Sequence, residues 1–178
     1  MTALFQRIAL ALVATTVCVV PDGARAQSVI TAKASSAASG SAATAVISVD
    51  LPAGQQLATL QFNLTVTPVG TAPPLEQPAA FVNALAPPQI GPSLVLNEGN
   101  SIVLVGWLQE IAPALTGHVD LGTLTVPIPA GAQVDDRYRI EINRASGTAD
   151  GRTAVALTAA SDEFAVVPGL PALSLIHI

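Results

Sequence analysis

Residues 57–67 read LATLQFNLTVT, and polar and apolar side chains alternate strictly from residue 59 to residue 67. Successive side chains of a strand point to opposite faces, so the alternation predicts a half-buried β-strand. Pro68 cannot donate a ladder hydrogen bond and is expected to end it. The inward row is Leu60, Phe62, Leu64 and Val66. The outward row is Thr59, Gln61, Asn63 and Thr65, a hydroxyl and amide surface without charge that suits contact as well as solvent.

After residue 27, helical periodicity is nearly absent, and short β-rich runs recur between breaks rich in Gly, Pro and Ser. Runs at this spacing are typical of an antiparallel sandwich or barrel. The four residues 97–100 (NEGN) have the length of a hairpin turn, and residues 149–151 (ADG) contain an Asp-Gly turn signal. We predict nine strands, at residues 28–33, 44–51, 57–67, 93–96, 102–108, 119–128, 137–143, 153–158 and 163–167.

The segment 68–92 contains seven prolines and no long apolar run. It is predicted to be a long crossover between sheets, with a short strand near residues 81–84. Closing two sheets over the alternating runs buries their apolar sides. The predicted core comprises Leu60, Phe62, Leu64, Val103, Val105, Trp107, Leu124, Val126, Ile140 and Ile142.

The two ends are expected to lie outside the folded domain. Residues 1–26 have the features of a bacterial-type secretory signal peptide: Arg7, an apolar stretch of thirteen residues at 8–20, and the A-x-A site 24–26. That stretch is shorter than the ~20 residues of a transmembrane helix. Residues 173–178 (LSLIHI) resemble the in-frame translation of a transposase adapter used in sequencing libraries, so no function is assigned to His177. The expected organisation is signal peptide 1–26, domain 27–167, start of a linker or tail 168–172, and adapter artefact 173–178.

The composition excludes several classes of function. The chain has a net charge of −5, and without residues 1–26 five basic and eleven acidic residues remain. Nucleic acid and anionic membranes need clustered Lys and Arg, so neither is an expected partner. No membrane span is expected after residue 26. Cys18 is the single cysteine, so the domain after residue 26 is expected to rely on its core rather than on disulfides.

The inventory of catalytic residues is poor. His118 has neither a second trustworthy His nor a Cys with which to form a metal site or a nucleophilic pair. Beside Gly117 and Asp120, it is expected to be a loop residue before a strand. The adjacent carboxylates Asp135 and Asp136 are expected in a solvated turn rather than at a hydrolytic site. We therefore expect no catalytic residue, no metal ligand and no cofactor.

Residues 102–108 (IVLVGWL) are apolar on both sides of the predicted strand. Val103, Val105 and Trp107 face one side; Ile102, Leu104, Gly106 and Leu108 face the other. Two explanations stay open at this point. Either the strand is covered on both sides, for example by the Pro-rich crossover, or its second side is an exposed apolar stripe that contacts a partner.

The order of these segments resembles the cohesin family, extracellular modules that bind dockerins in cellulosome-like assemblies. The resemblance covers residues 28–167. Residues 57–68 are similar to the family's third strand, 101–110 to the sixth, 122–132 to the seventh and its Gly-Ala turn, and 138–143 to the eighth. It implies a nine-stranded antiparallel β-sandwich with jelly-roll topology, in which one face formed by strands three, five, six and eight meets the dockerin helices.

Carried onto this sequence, the resemblance predicts a partner-binding face. The predicted face comprises Thr59, Gln61, Asn97, Leu104, Gly106, Leu108 and Gln109. We therefore expect a secreted or cell-surface, non-catalytic module that docks a dockerin-type protein, in the context of extracellular polysaccharide degradation. Its acidic surface would steer a basic partner. The alternative is a carbohydrate-binding module with a polysaccharide partner, which requires exposed, coplanar rings such as those of Trp107 and Tyr138.

Overall fold

The computed structural model describes residues 27–85 and 90–169, without the side chains of residues 90–94. The predicted signal peptide 1–26, residues 170–172 of the predicted tail and the predicted adapter segment 173–178 lie outside the described residues. The described part is all-β, as predicted. Its strands are β1 (Ser28–Ala34), β2 (Ala37–Ala38), β3 (Ala42–Asp50), β4 (Thr59–Val69), β5 (Ala80–Asn83), β6 (Ile90–Asn97), β7 (Asn100–Trp107), β8 (His118–Pro127), β9 (Arg137–Thr148), β10 (Ala154–Val155), β11 (Leu157–Ala160) and β12 (Asp162–Val167).

These strands form two sheets that pack face to face as a β-sandwich. The five-stranded sheet has the order β11-β1-β3-β8-β5. The seven-stranded sheet has the order β2-β12-β9-β4-β7-β6, with β10 paired to β9. Most pairs are antiparallel, as expected, but β1–β11 and β2–β12 are parallel. Each of the nine predicted runs overlaps a strand of the described residues, and the two sheets enclose one hydrophobic core.

The alternation in residues 59–67 does produce a strand with one buried side. Leu60, Phe62, Leu64 and Val66 are each at most 1% exposed, and all ten residues of the predicted core are buried. The prediction that Pro68 ends the strand is wrong: β4 runs from Thr59 to Val69, two residues beyond the predicted end at residue 67. Pairing with β7 stops at Val66, while Pro68 still pairs with Tyr138 of β9. One edge of β4 is thus free beyond Val66, where a proline without an N–H is tolerated.

Three aromatic rings join the two sheets in the core. Phe81 of the five-stranded sheet meets Phe62 and Trp107 of the seven-stranded sheet edge-on, with ring centroids 6.5 Å apart in both pairs. Edge-to-face pairs of this kind add to the hydrophobic burial of the rings. The indole Nε1 of Trp107 has no hydrogen-bond partner among the described residues.

The Pro-rich segment after β4 is a crossover, as predicted, and it includes the short strand β5 of the opposite sheet. Three hydrogen bonds fasten it to the seven-stranded sheet. The Leu75 amide donates to the Gly99 carbonyl, the Tyr138 hydroxyl to the Pro73 carbonyl, and the Ala79 amide to the buried Ser101 hydroxyl. The crossover therefore closes the end of the sandwich near the β6–β7 turn, and Leu75 and Ala79 join the core.

Candidate protein-binding face

The candidate site is the outer face of the seven-stranded sheet, meaning the solvent side of β9, β4, β7 and β6. These four strands are adjacent in the order β9-β4-β7-β6, and they occupy the places of the four strands that the sequence resemblance assigns to the face. Strand register aligns the outer face in rows across β7, β4 and β9. The rows are Gly106–Gln61–Ser146, Leu104–Asn63–Asn143 and Ile102–Thr65–Glu141.

Polar side chains on the β4–β9 part of this face satisfy one another. The hydroxyls of Thr59 and Thr148 lie 2.7 Å apart, and the Gln61 amide donates to the Ser146 hydroxyl at 2.9 Å. These pairs hold the side chains in fixed positions, yet hydroxyl and amide oxygens keep spare acceptor capacity. The pairs Thr59–Thr148 and Gln61–Ser146 are thus ordered, uncharged and able to accept hydrogen bonds.

Beside the polar rows lies an apolar stripe formed by β6, β7 and the residue after β7. Its exposed members are Val95 (44% exposed), Leu104 (42%) and Leu108 (55%), and Ile102 is half-buried between β4 and β6. Residues 68–85, the described part of the Pro-rich crossover before β6, pack into the core at the end of the sandwich and leave these side chains exposed. Of the two explanations for the doubly apolar strand, the structure thus favours the exposed stripe.

Gly106 is at the centre of the predicted face but is not an open depression. It is buried, and a Cβ built on it would meet the Gln61 Cβ at 3.5 Å and the Leu108 Cδ2 at 3.9 Å. Leu108 follows the end of β7 and lies over the glycine, so the large aliphatic side chain occupies the place that a close partner would otherwise enter. The contact surface here is the exposed face of Leu108 itself.

The structure brings together most, but not all, of the predicted partner-binding residues. Thr59, Gln61, Leu104, Gly106 and Leu108 share the outer face, and the exposed Gln109 follows directly. Asn97 pairs with Asn100 at the β6–β7 turn, six residues along β7 from Gly106. At ~3.3 Å per residue this is about 20 Å away. Asn97 therefore lies at the far end of the face from Thr59 and Leu108.

Sequence reasoning missed the contribution of the second half of β9. The predicted strand ends at residue 143, whereas β9 continues to Thr148 and supplies Ser146 and Thr148 to the outer face. A β-bulge explains the difference: Gln61 pairs with Ser146 and Asn63 with Asn143, so Arg144 and Ala145 both oppose Phe62. The extra residue interrupts the alternation that would have extended the prediction.

Charge is not uniform over this acidic chain. Along β9 the outer face has Arg137, Arg139 and Arg144, against Glu141 and the neighbouring Glu163 of β12. Arg137 and Arg139 each lie 3.2 Å from a Glu163 carboxylate oxygen. The hydrogen bond from Arg137, with a smaller one from Arg139, lowers the pKa of Glu163. On β9 the three arginines outnumber Glu141 and Glu163, so the acidic surface expected from the net charge is interrupted along this strand, while the exposed Glu98 and Glu110 adjoin the predicted face residues Asn97 and Gln109.

The residues considered for catalysis do not assemble into a site in the described part of the chain. His118 is the first residue of β8 rather than a loop residue; it is exposed, with Nδ1 2.7 Å from an Asp50 oxygen. That hydrogen bond, together with the Asp50 charge, raises the His118 pKa. Asp135 and Asp136 lie in the turn before β9. Within residues 27–85 and 90–169, no three His, Cys, Asp or Glu side chains are placed to hold a metal ion, and no helix is long and apolar enough to cross a membrane.

The aromatic side chains of the described residues are all buried. The five are Phe62, Phe81, Trp107, Tyr138 and Phe164, each at most 7% exposed. The surface of this part of the chain therefore lacks the exposed rings that a glycan-binding platform needs.

Comparison with known proteins identifies the fold. No protein-family model matches the chain, and no curated protein matches its sequence. Solved structures do match. A non-cellulosomal cohesin from the hyperthermophilic archaeon Archaeoglobus fulgidus superposes with a TM-score of 0.54 and 11% identity, over 80% of this chain and 93% of that chain. The third ScaC cohesin of Acetivibrio cellulolyticus, solved in complex with the ScaB dockerin, superposes with a TM-score of 0.55 and 13% identity, over 80% of this chain and 100% of that chain.

A cohesin module from a family 33 glycoside hydrolase of Clostridium perfringens gives a TM-score of 0.52 and 13% identity, over 79% of this chain and 96% of that chain. The described residues thus form a two-sheet β-sandwich module. More specifically, the fold is cohesin-like, as the resemblance of the strand order predicted, although sequence identity to these structures is only 11–13%.

Proposed function

We propose that this chain is a secreted, non-catalytic, cohesin-like module that binds a dockerin-type protein domain through the outer face of its seven-stranded sheet. The observation on which the proposal depends is the exposed stripe of Val95, Leu104 and Leu108 beside the ordered, uncharged pairs Thr59–Thr148 and Gln61–Ser146. Support comes from the cohesin-like fold and from the solved complex of the Acetivibrio cellulolyticus cohesin with a dockerin.

The chemistry of the face suits a protein partner. Removing the aliphatic side chains of the stripe from water supplies the favourable free energy of association, about 25 cal/mol for each Å² of apolar surface buried. The neighbouring threonine, asparagine and glutamine side chains then set the register of the partner by hydrogen bonding. Fixed polar side chains lose little further conformational entropy on binding, so the polar rows favour a pre-formed interface.

Export and a role in extracellular polysaccharide degradation follow from two expectations together. The first is the signal peptide read from residues 1–26, and the second is the assembly in which cohesin-like modules act. The absence of a catalytic role follows from the poor set of His, Cys and paired carboxylates in the sequence.

Direct glycan binding is not retained as a second candidate. It required exposed coplanar rings, and Trp107 and Tyr138 are 1% and 0% exposed. Buried rings stabilise the core and offer no stacking surface to a sugar.

The proposal is tested by placing a charge in the stripe. Leu108→Asp should weaken binding of a dockerin domain by at least ~2 kcal/mol, the size of a hot-spot loss, or about thirtyfold in Kd. Leu108 is 55% exposed, so the variant should keep the stability of the wild type. Binding is measured by pull-down of dockerin-bearing proteins from culture of the source organism, then by calorimetry with each recovered dockerin domain.

The matched control is Val82→Asp. Val82 is 66% exposed but belongs to β5, in the opposite sheet, so the same chemical change there should leave binding unaltered. The proposal fails if the wild type captures no dockerin-bearing protein. The assignment of the face fails if Leu108→Asp and Val82→Asp bind as the wild type does, or if both lose binding equally.

A further inference from the structure

Arg144 has three features that packing does not explain. It is exposed, its backbone φ is +54°, and it is the extra residue of the β-bulge opposite Phe62. A side chain with a Cβ rarely adopts this left-handed conformation, which glycine adopts at no steric cost. An arginine here costs stability compared with a glycine, so a contribution to the fold does not account for it.

The bulge places Arg144 on β9, at the polar side of the outer face, next to β4. Its neighbours Asn143 and Ser146 belong to the rows that continue to Asn63 and Gln61 on β4, and from Asn63 to Leu104 on β7. Bulges re-aim side chains at functional sites. Because the inner side of the sheet is the closed core, the exposed guanidinium lies at the surface beside these rows.

The charge of Arg144 is also unbalanced. Arg137 and Arg139, on the same strand, share the Glu163 carboxylate, whereas no carboxylate of the described residues lies within ion-pair distance of Arg144. The guanidinium has five N–H donors in a planar fork that matches a carboxylate. A free fork beside the uncharged side chains of Asn143, Ser146 and Gln61 suits an anionic group of the partner.

From these observations we infer that Arg144 is a specificity-determining residue, which recognises an Asp or Glu side chain on the partner's contacting helix. The inference rests on the proposed function and adds to it the chemistry of the partner. The net charge of −5 would favour a basic partner, whereas Arg144 requires an acidic side chain of the partner at this part of the face.

The strand spacing fixes where the acidic side chain should lie. Leu104 and Asn143 are two strands apart in one row, or about 10 Å at ~4.8 Å per strand. A helix rises ~1.5 Å per residue, so seven residues span about 10 Å. On a partner helix that crosses the strands, an acidic residue about seven positions, or two turns, from the apolar residue that covers Leu104 would therefore lie over Asn143, beside Arg144.

The test uses a pool of natural dockerin domains displayed on yeast and sorted against purified variants of this chain. Wild type should enrich dockerins that have an Asp or Glu at this spacing, and Arg144→Glu should lose those domains at least about tenfold. Lys33→Glu is the control, since Lys33 is exposed on β1 of the opposite sheet and its reversal changes the net charge equally. It should retain the wild-type set. Changing the acidic residue of an enriched dockerin to Lys should restore binding to Arg144→Glu.

Arg144→Gly separates recognition from folding. Glycine relieves the positive φ, so this variant should melt at or above the wild-type temperature while it loses the same dockerins. If Arg144→Glu and Arg144→Gly retain the wild-type set, the inference is wrong and the proposed function stands. If the wild type enriches no dockerin above the level of Leu108→Asp, the proposed function fails and the inference fails with it.

Discussion

The inner and outer sides of the seven-stranded sheet are built from alternate residues of the same strands, yet they are under different constraints. On β4 the inner residue Phe62 is 1% exposed and contacts two other rings, whereas its neighbour Gln61 is exposed and has one side-chain hydrogen bond. Shape and volume determine the inner side, where a misfit costs several kcal/mol. The outer side tolerates many residues, so an unusual choice there, such as Leu104, Leu108 or Arg144, requires a reason other than folding.

The largest expected effect is on the inner side. Phe62→Ala should lower the free energy of unfolding by about 3–5 kcal/mol, because it leaves a cavity among Phe81, Trp107 and the strands of both sheets. The matched change one residue away, Gln61→Ala, removes an exposed hydrogen bond and should cost below about 1 kcal/mol. Denaturant unfolding measures both variants. If both variants lost the same unfolding free energy, the two sides of β4 would be under the same constraint.

The next expected effect concerns the one tyrosine of the chain, on the inner side of β9. Burial, with smaller contributions from Asp136 and Glu76, raises the pKa of Tyr138 from about 10 to about 12. The unfolded chain loses the phenol proton first, so this contribution to stability is fully present below pH ~10 and is lost as the pH rises through about 12.

The ultraviolet absorbance of phenolate follows this titration directly, since no second tyrosine interferes. The folded protein should titrate near pH 12 and the urea-unfolded chain near pH ~10. Tyr138→Phe is the control and should show no phenolate signal. A folded-state midpoint near the unfolded one would mean that the inner side of β9 is open to water.

Apart from the Gln61→Ala control, the smallest expected effect is also on the outer side. Thr59→Val breaks the 2.7 Å hydroxyl pair with Thr148 and should cost about 1 kcal/mol, since it leaves the second hydroxyl half-buried without this partner. The double variant Thr59→Val, Thr148→Val replaces both partners by apolar groups of the same shape. It should be more stable than the sum of the single changes predicts. Strictly additive losses would show that the hydroxyl pair makes no net contribution.

The inner side was largely predictable from the sequence, because burial imposes a period of two on β4 and β7. What broke this period was not predictable. The bulge at Arg144 adds one residue to β9, so the polar pair Asn143–Arg144 looks like the end of a strand. The predicted strand 153–158 is in fact two, because the chain leaves β9 after Val155 and joins β1 from Leu157 onward. Both halves consist of threonine and aliphatic residues (TAV and ALT), so the strand with which each half pairs cannot be read from the composition.

The candidate site was only partly predictable. Parity placed Thr59, Gln61 and Leu104 on one face, as the structure does. The alternation of side chains along a strand could not show that Leu108, beyond the end of β7, lies over Gly106. It also could not show that the extension of β9 adds Ser146 and Thr148 to the face. Gly147 reads as a strand break, but a Cβ there would overlap the Thr59 carbonyl oxygen and Leu57, so the glycine permits close strand approach. Such contacts depend on which strands are neighbours, and this information is spread over the whole chain.

The two parallel pairings have a consequence for the response of the domain to mechanical force. β1 begins at Ser28 and runs parallel to β11, and β2, which follows it, runs parallel to β12, which ends at Val167. A pull on the segments flanking these two residues therefore slides the first strands along the last ones. The backbone hydrogen bonds of the four residue pairs of β1–β11 and the two of β2–β12 then share the load in shear, instead of opening one after another as in an unzipped hairpin. Because several hydrogen bonds must break together, unfolding under force should be slow. Survival under load depends on this unfolding rate.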